Sequence, residues 1–413
     1  MTNSVWRAPG MPALLTMVAA GFSGYAVLLP VAPQWAVAGG ADAAGAGLVT
    51  GVFMFSTVLF QTIVPAALRR LGWGPVLVAG LVLLGAPSLA HLVSNELGPI
   101  LAIAAVRGAG FAVLTVAGSG AVADLVEPAR RGRAIGAFGL AIAGPQLVLL
   151  PAAPWVAETF GYQWVFLVGA LPLVGIVPAI RLARRLHARH AEQAAEAAAA
   201  GHVHQVGRRA ALLALAAPVG ILLSVTLAGG ALITFTPQLT GDAVTVTLGL
   251  ALLTATAALA RWLVGGAADR FGAHRLLWPF ILVTTAGLVL VAWAAVGAGS
   301  GASASSGGDA STAPLLIGLA LVGVSYGGLQ NLTMGEAFAA VPPRQSVFAS
   351  AVWNIGFDLG SGIGAVLVGM IATGSSFSAA FLVAAAISLA TLPLALRRRP
   401  VPVEPEQVRV PRE

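Results

Sequence analysis

The chain has 413 residues, 58% of them hydrophobic and only 9% charged, with a mean hydropathy of +0.90. Soluble domains run nearer ~45–50% apolar and ~25% charged, so this chain cannot cover a globule with polar surface and needs lipid as its solvent. The net charge of +7 comes from Arg alone, in short clusters with no continuous basic face, which argues against nucleic acid, and 0 Cys excludes disulfides, thiolate catalysis and Cys-ligated metals.

A helix needs about 20 apolar residues to cross the hydrocarbon. The first such stretch, 11–30, follows Arg7 as a signal peptide would, but many more of the same kind come after it. It therefore reads as a first spanning helix that the mature protein keeps. Further stretches follow at 47–68, 75–94, 98–122, 134–156 and 163–182, and then at 210–235, 245–266, 275–297, 314–338, 346–371 and 377–396. The expected fold is all-α, with twelve transmembrane helices in two six-helix bundles. Residues 1–182 form one bundle, 183–209 a solvated, partly helical cytoplasmic linker, and 210–413 the second bundle with a cytoplasmic tail. The linker carries Arg184, Arg185, Arg189 and Arg208–Arg209, and His187, His190, His202 and His204 stand among its charges without the spacing of a metal-ligand set.

Charge fixes the orientation. Alternate loops hold Arg69–Arg70, Arg130, Arg131, Arg133, the linker cluster, Arg270, Arg275, Arg344 and Arg397–Arg399. The opposite loops hold Asp42, Glu96, Glu158, Asp242 and Asp309 and no Arg. The positive-inside rule then places both termini in the cytoplasm, and the Arg-only usage suits a GC-rich bacterium, hence a bacterial plasma membrane. The halves also echo each other. Residues 48–72 align without gaps to 248–272, anchored by Arg70/Gly72 and Arg270/Gly272, and Pro33–Gln34 and Pro237–Gln238 close the first helix of each half.

The sharpest motif is the loop Gly265-Gly-Ala-Ala-Asp269-Arg270-Phe-Gly272-Ala-His-Arg275, whose glycines suit a tight reversal between two helix ends. It resembles the cytoplasmic signature G-x-x-x-D-R-x-G-x-R of the major facilitator superfamily of secondary transporters. The copy in the first half, Pro65 to Gly72, has Arg69 where that signature has its acid. The resemblance implies acid–Arg pairs that lock the cytoplasmic side: Asp269 with a nearby Arg, Asp124 with Arg131, and Glu336 with Arg344. Interfacial anchoring is the other reading of these pairs. Arg107-Gly-Ala-Gly110-Phe in the fourth helix resembles the R-x-x-x-G motif of proton-linked exporters, and at about 1.5 Å per residue Arg107 lies near the midplane. An Arg there faces protein or water, either as a coupling residue or as a structural donor to backbone carbonyls.

Asp358, in the eleventh helix, is the only carboxylate at that depth. Loss of water favours a neutral carboxyl and a nearby cation favours the charged form, and that competition is what a proton-coupled switch needs. Arg107 and Asp358 are thus the expected proton-coupling pair, with a structural ion pair or a substrate contact the alternative for Asp358. Ala143-Gly144-Pro145-Gln146 in the fifth helix resembles the Gly-Pro core of an antiporter signature and is compatible with a hinge. Helices one, four, seven and ten line the cavity in the superfamily, which makes Tyr25, Thr115, Ser119, Thr226, Tyr326, Gln330 and Asn331 candidate substrate contacts, with interhelical bonding the alternative for each. The resemblance spans residues 11–396. It implies a proton-coupled carrier of a small organic solute, acting as a monomer in the bilayer without cofactor or metal and running as an exporter. An importing proton symporter is the alternative, and a non-transporting sensor on the same scaffold a remote one. An enzyme is not expected, since no set of nucleophile, base and metal ligands converges at one depth.

Overall fold

The computed structural model describes residues 8–125, 131–197, 208–296, 311–341 and 346–396, and the described residues are helical throughout, with short turns between. Twelve helices are long and apolar enough to cross a membrane. In the first half they are α1 (Met11–Ala38), α2 (Ala43–Leu71), α3 (Trp73–Leu92), α4 (Leu97–Leu125), α5 (Arg131–Phe160) and α6 (Tyr162–Ala197). In the second they are α7 (Arg208–Leu239), α8 (Ala243–Phe271), α9 (Ala273–Ala294), α10 (Thr312–Ala339), α11 (Ser346–Gly374) and α12 (Phe377–Leu396).

Local chemistry explains where these helices start, stop and tighten. Asp42 and Asp242 cap α2 and α8, accepting from Gly45 N–H in one case and from Val244 and Thr245 N–H in the other. The Thr245 hydroxyl adds a further bond that holds the Asp242 carboxyl below its usual range. Both helices run 29 residues and end at a glycine of positive φ, Gly72 at +81° and Gly272 at +85°, which a side chain would strain. Caps, lengths and ends all fall at an offset of 200 residues, so the repeat read from 48–72 and 248–272 extends over the whole hairpin entry. Two helices tighten into 3-10 turns at Ala86–Leu92 and Leu171–Gly175, where Pro87 and Pro172 remove backbone donors.

Two boundaries differ from the sequence reading. The first helix continues through Pro30 and Pro33 to Ala38. The sixth runs on to Ala197, past the linker boundary expected at 182, because Ala179, Leu182, Ala183 and Leu186 repeat at three and four residues and bury one stripe against the neighbouring helices.

Within each half, α2 packs along α4 and α8 along α10. The matching bonds are Ser56 Oγ to Ala105 O and Thr256 Oγ1 to Ala320 O, again at equivalent places. Between the halves, α2 lies along α11 and α5 along α8. These two contacts are not equally distributed along the membrane normal. Near the acidic end, α2 and α11 touch backbone to backbone: a Cβ on Gly47 would collide with the Ala365 carbonyl, and one on Gly369 with the Ala43 carbonyl. Small residues permit this approach, which gives van der Waals contact where lipid offers no hydrophobic gain. Ala44 N–H donates to Thr373 Oγ1 (2.9 Å), and the hydroxyls of Thr50 and Thr234 meet at 3.0 Å just below.

Candidate functional site

Below that seal the halves part around a cavity of about 210 Å³. Its wall is drawn from α1, α2, α4 and α5 on one side and from α7, α8, α10 and α11 on the other. Phe22, Phe111, Phe138, Trp353 and Phe357 give it an apolar body, and Tyr25, Thr115, Gln146, Arg261, Tyr326 and Asp358 supply polar groups. A second cavity shares Thr115, Ser119 and Asn354 with the first and continues along Pro65, Gly120, Phe338 and Ser350. Those residues lead toward the end of the bundle that carries the Arg clusters. The protein is therefore sealed at its acidic end and hollow toward its Arg-rich end.

The polar centre of the cavity is a bond between the halves. Asp358, 4% exposed on α11, accepts at Oδ2 from Gln61 Nε2 of α2 at 2.6 Å. The same amide nitrogen reaches Thr115 Oγ1 at 3.3 Å, while Gln61 Oε1 is buried with no partner among the described residues. Tyr25 stacks on Phe111, with ring centroids 4.3 Å apart and planes 10° from parallel, which fixes its place on the wall. Tyr326 lies over Gly229, where a Cβ would collide with its ring. Trp353 donates to Thr333 Oγ1 (3.1 Å), which holds the indole flat beside Phe357.

Several expected site residues are elsewhere. Arg107, expected to oppose Asp358, points to other groups: its Nε donates to Leu84 O (3.1 Å) and its Nη2 to Gly24 O (3.0 Å), with the guanidinium 5.5 Å from the Phe53 ring centroid. It borders a separate small cavity shared with His91, and Tyr25 and Thr50 stand on the walls of both spaces. The backbone-carbonyl alternative therefore describes its contacts. Thr226 is buried against α11 and donates to Leu222 O (3.0 Å) of its own helix, and Asn331 turns away from the cavity to donate to Arg261 O (2.8 Å). Tyr25, Thr115, Ser119, Tyr326 and Gln330 do line the cavity. Of the cytoplasmic-lock residues, Arg70, Arg270 and Arg275 are exposed, the Arg270 guanidinium lying over Phe271, and Gly265 sits beside Asn331. The side chains of Asp124, Arg131 and Asp269 and the whole of Arg344 lie outside the described residues, so no lock pair is defined by contact. Glu336 lies in the last turn of α10. Among the described residues no three His, Asp or Glu gather as metal ligands would.

Sequence reasoning alone misses Gln61 and Arg261. One signal marks both: in the gap-free alignment of 48–72 with 248–272 they occupy the same position.

The sequence profile of the Major Facilitator Superfamily matches residues 13–337 and 296–412. The chain belongs to the major facilitator superfamily. Its fold is accordingly that of a multi-pass membrane transporter and not of an enzyme. A search of curated protein sequences finds no match. Among solved structures, the fold of this facilitator is shared with a peptide transporter, POT, in a mutant form (TM-score 0.73, 13% identity, covering 94% of this chain and 93% of that one). It is shared likewise with a mutant of the nucleoside transporter NupG (TM-score 0.67, 11% identity, 94% and 98% covered). A bacterial homologue of the human lysosomal transporter Spinster, inward-facing and occupied, also matches (TM-score 0.64, 14% identity, 95% and 96% covered).

Proposed function

We propose that this facilitator is a proton-coupled carrier that moves a small organic solute out of a bacterial cell by alternating access, its termini in the cytoplasm. The observation that carries the proposal is the bond from Gln61 to Asp358, which joins the two bundles across the cavity wall. With the Arg-rich end cytoplasmic by the positive-inside rule, the conformation described above is inward-open. Opening the acidic end requires α2 and α11 to separate, so this bond lies across the motion. A charged Asp358 accepts strongly from the Gln61 amide. A protonated Asp358 can in addition donate to Gln61 Oε1, the acceptor now without a partner, closing a two-bond acid–amide ring. Proton occupancy thereby biases how firmly the halves are held together, and solute in the adjoining cavity meets that bias directly.

Outward direction rests on the resemblance of the Arg107–Phe111 segment to proton-linked exporters. In this proposal Arg107 positions α1 and α3 against α4 and does not carry the proton. The substrate-facing residues are Tyr25, Thr115, Ser119, Tyr326 and Gln330. The cytoplasmic lock at Gly265, Asp269, Arg270, Gly272 and Arg275, with Arg70, Asp124–Arg131 and Glu336–Arg344, belongs to the state in which the inner end closes. The working unit is a monomer of two bundles, α1–α6 and α7–α12, joined by the segment between them.

The test is flux in proteoliposomes under an imposed pH gradient, for wild type and Asp358→Asn. The variant is expected to lose gradient-driven movement and to keep solute-for-solute exchange, since no proton need leave. Accumulation that follows the proton would instead establish the symport direction. Flux indifferent to both gradient and substitution would refute coupling at Asp358.

A further inference from the structure

Arg261 has no role in the account above. It stands ten residues from the inner end of α8, so at 1.5 Å per residue it lies about 15 Å deep, near the middle of a hydrocarbon core about 30 Å thick. Trp262 and Leu263 beside it are 77% and 54% exposed and line no such cavity, and Arg261, exposed as well, is on the cavity wall with Tyr326 and Gln330. Its backbone carbonyl is fixed by Asn331 Nδ2, but its guanidinium makes no hydrogen bond or ion pair among the described residues. Tyr326 and Asp358 stand on the wall of the same cavity as Arg261. An Arg at this depth is costly to keep in a membrane, and such residues persist where they meet a substrate or a partner.

The repeat sharpens the point. Arg261 is the counterpart of Gln61 at the 200-residue offset, and Gln330 is the counterpart of Thr115, since Gly108 and Gly323 approach Phe53 and Leu253 in the same way. One side of the cavity uses its position on α2 to hold Asp358. On the other side the same position carries five N–H donors facing open space. We infer that Arg261 is the anion-reading residue of this cavity and that the transported solute carries a carboxylate, bound by the Arg261 guanidinium with Tyr326 and Gln330 as neighbouring donors. The planar fork of Arg matches a carboxylate in two bonds, and the aromatic surfaces of Phe111, Phe138 and Trp353 suit an apolar body behind it. Asp358 accepts from Gln61 and makes no ion pair with Arg261, so the guanidinium donors stay free for the solute. This inference rests on the carrier reading for its physiological meaning and deepens it by naming the substrate class.

The purified full chain is titrated with benzoate and 1-naphthoate, with the corresponding amides, and with benzylamine and 1-naphthylmethylamine, following thermal stability and heat of binding. A ligand that binds only the folded state raises its stability, so the first readout needs no flux. The carboxylates are expected to stabilise wild type, and the amides and amines are not. Arg261→Gln, which installs the residue found at the equivalent place on α2, should weaken carboxylate binding by about tenfold or more, the loss expected for a charge-assisted bond. Arg261→Lys should restore part of it, which a purely structural role would not predict. Equal binding of amides or amines, undiminished carboxylate binding by a folded Arg261→Gln, or no carboxylate binding at all would each overturn the inference. Carboxylates that bind but are not moved in proteoliposomes would leave the anion site standing and remove the carrier reading. Flux of uncharged or cationic solutes alone would do the reverse.

Discussion

The seal at the acidic end can be loosened by a single methyl group. Gly47→Ala places a Cβ against the Ala365 carbonyl and toward the Phe235 ring, and neither α2 nor α11 can yield there without parting from the other. Overpacking a close contact of this kind costs about 1–3 kcal/mol. That cost falls only on the state in which α2 and α11 touch, so the balance between inward-open and outward-open forms shifts by about 5- to 150-fold. The absence of native Cys makes the shift directly readable with single introduced thiols and a membrane-impermeant maleimide. Thr234→Cys reports the seal, since Thr234 is fully buried there, and Ser350→Cys reports the inner passage. Adding Gly47→Ala should raise the labelling rate at 234 and lower it at 350, so that their ratio moves toward the predicted factor. Unchanged rates at both sites in a variant that inserts and folds normally would show that the Gly47 contact does not discriminate between states, and the alternating-access geometry drawn here would lose its outer gate.

Other substitutions separate roles within the site. Asp269→Asn should strongly reduce transport while leaving membrane insertion intact, because the proposed cycle requires the lock at 265–275 to reform; full activity would remove the lock assignment. Arg107→Met should destabilise the protein by on the order of 3 kcal/mol, as two charge-assisted bonds to Leu84 O and Gly24 O disappear, without weakening solute binding to the protein that remains folded. A loss of binding with stability unchanged would return Arg107 to the coupling machinery. Thr226→Val should leave affinity and flux as in wild type, since its hydroxyl serves only its own helix, and a binding defect would place Thr226 in the site after all.

The architecture was legible because bilayer thickness, loop charge and the Gly72/Gly272 repeat are written along the chain in order. Helix ends were less so: the buried stripe of Ala179, Leu182, Ala183 and Leu186 continues into a segment whose charges suggest a linker, and only its packing reveals the inward face. Within the site, depth could be counted from sequence but direction could not. Arg107 and Asp358 share a depth, yet the groups that satisfy Arg107 are backbone carbonyls 23 and 83 residues away, which no side-chain pattern announces. Gln61 was hidden for the same reason, its partner being 297 residues distant. Thr226 and Asn331 show the converse, as polar residues on cavity-lining helices whose rotation turns them toward neighbours.

The junctions at Gly72, Gly161 and Gly272 are each one residue long. So short a tie holds the joined helix ends together, so α2 with α3, α5 with α6, and α8 with α9 share their position at that end. A movement of one helix at such a junction is therefore passed to its neighbour. Spin labels on α2 and α3 should hold a single separation through the whole cycle, whereas a pair bridging α2 and α11 should report two.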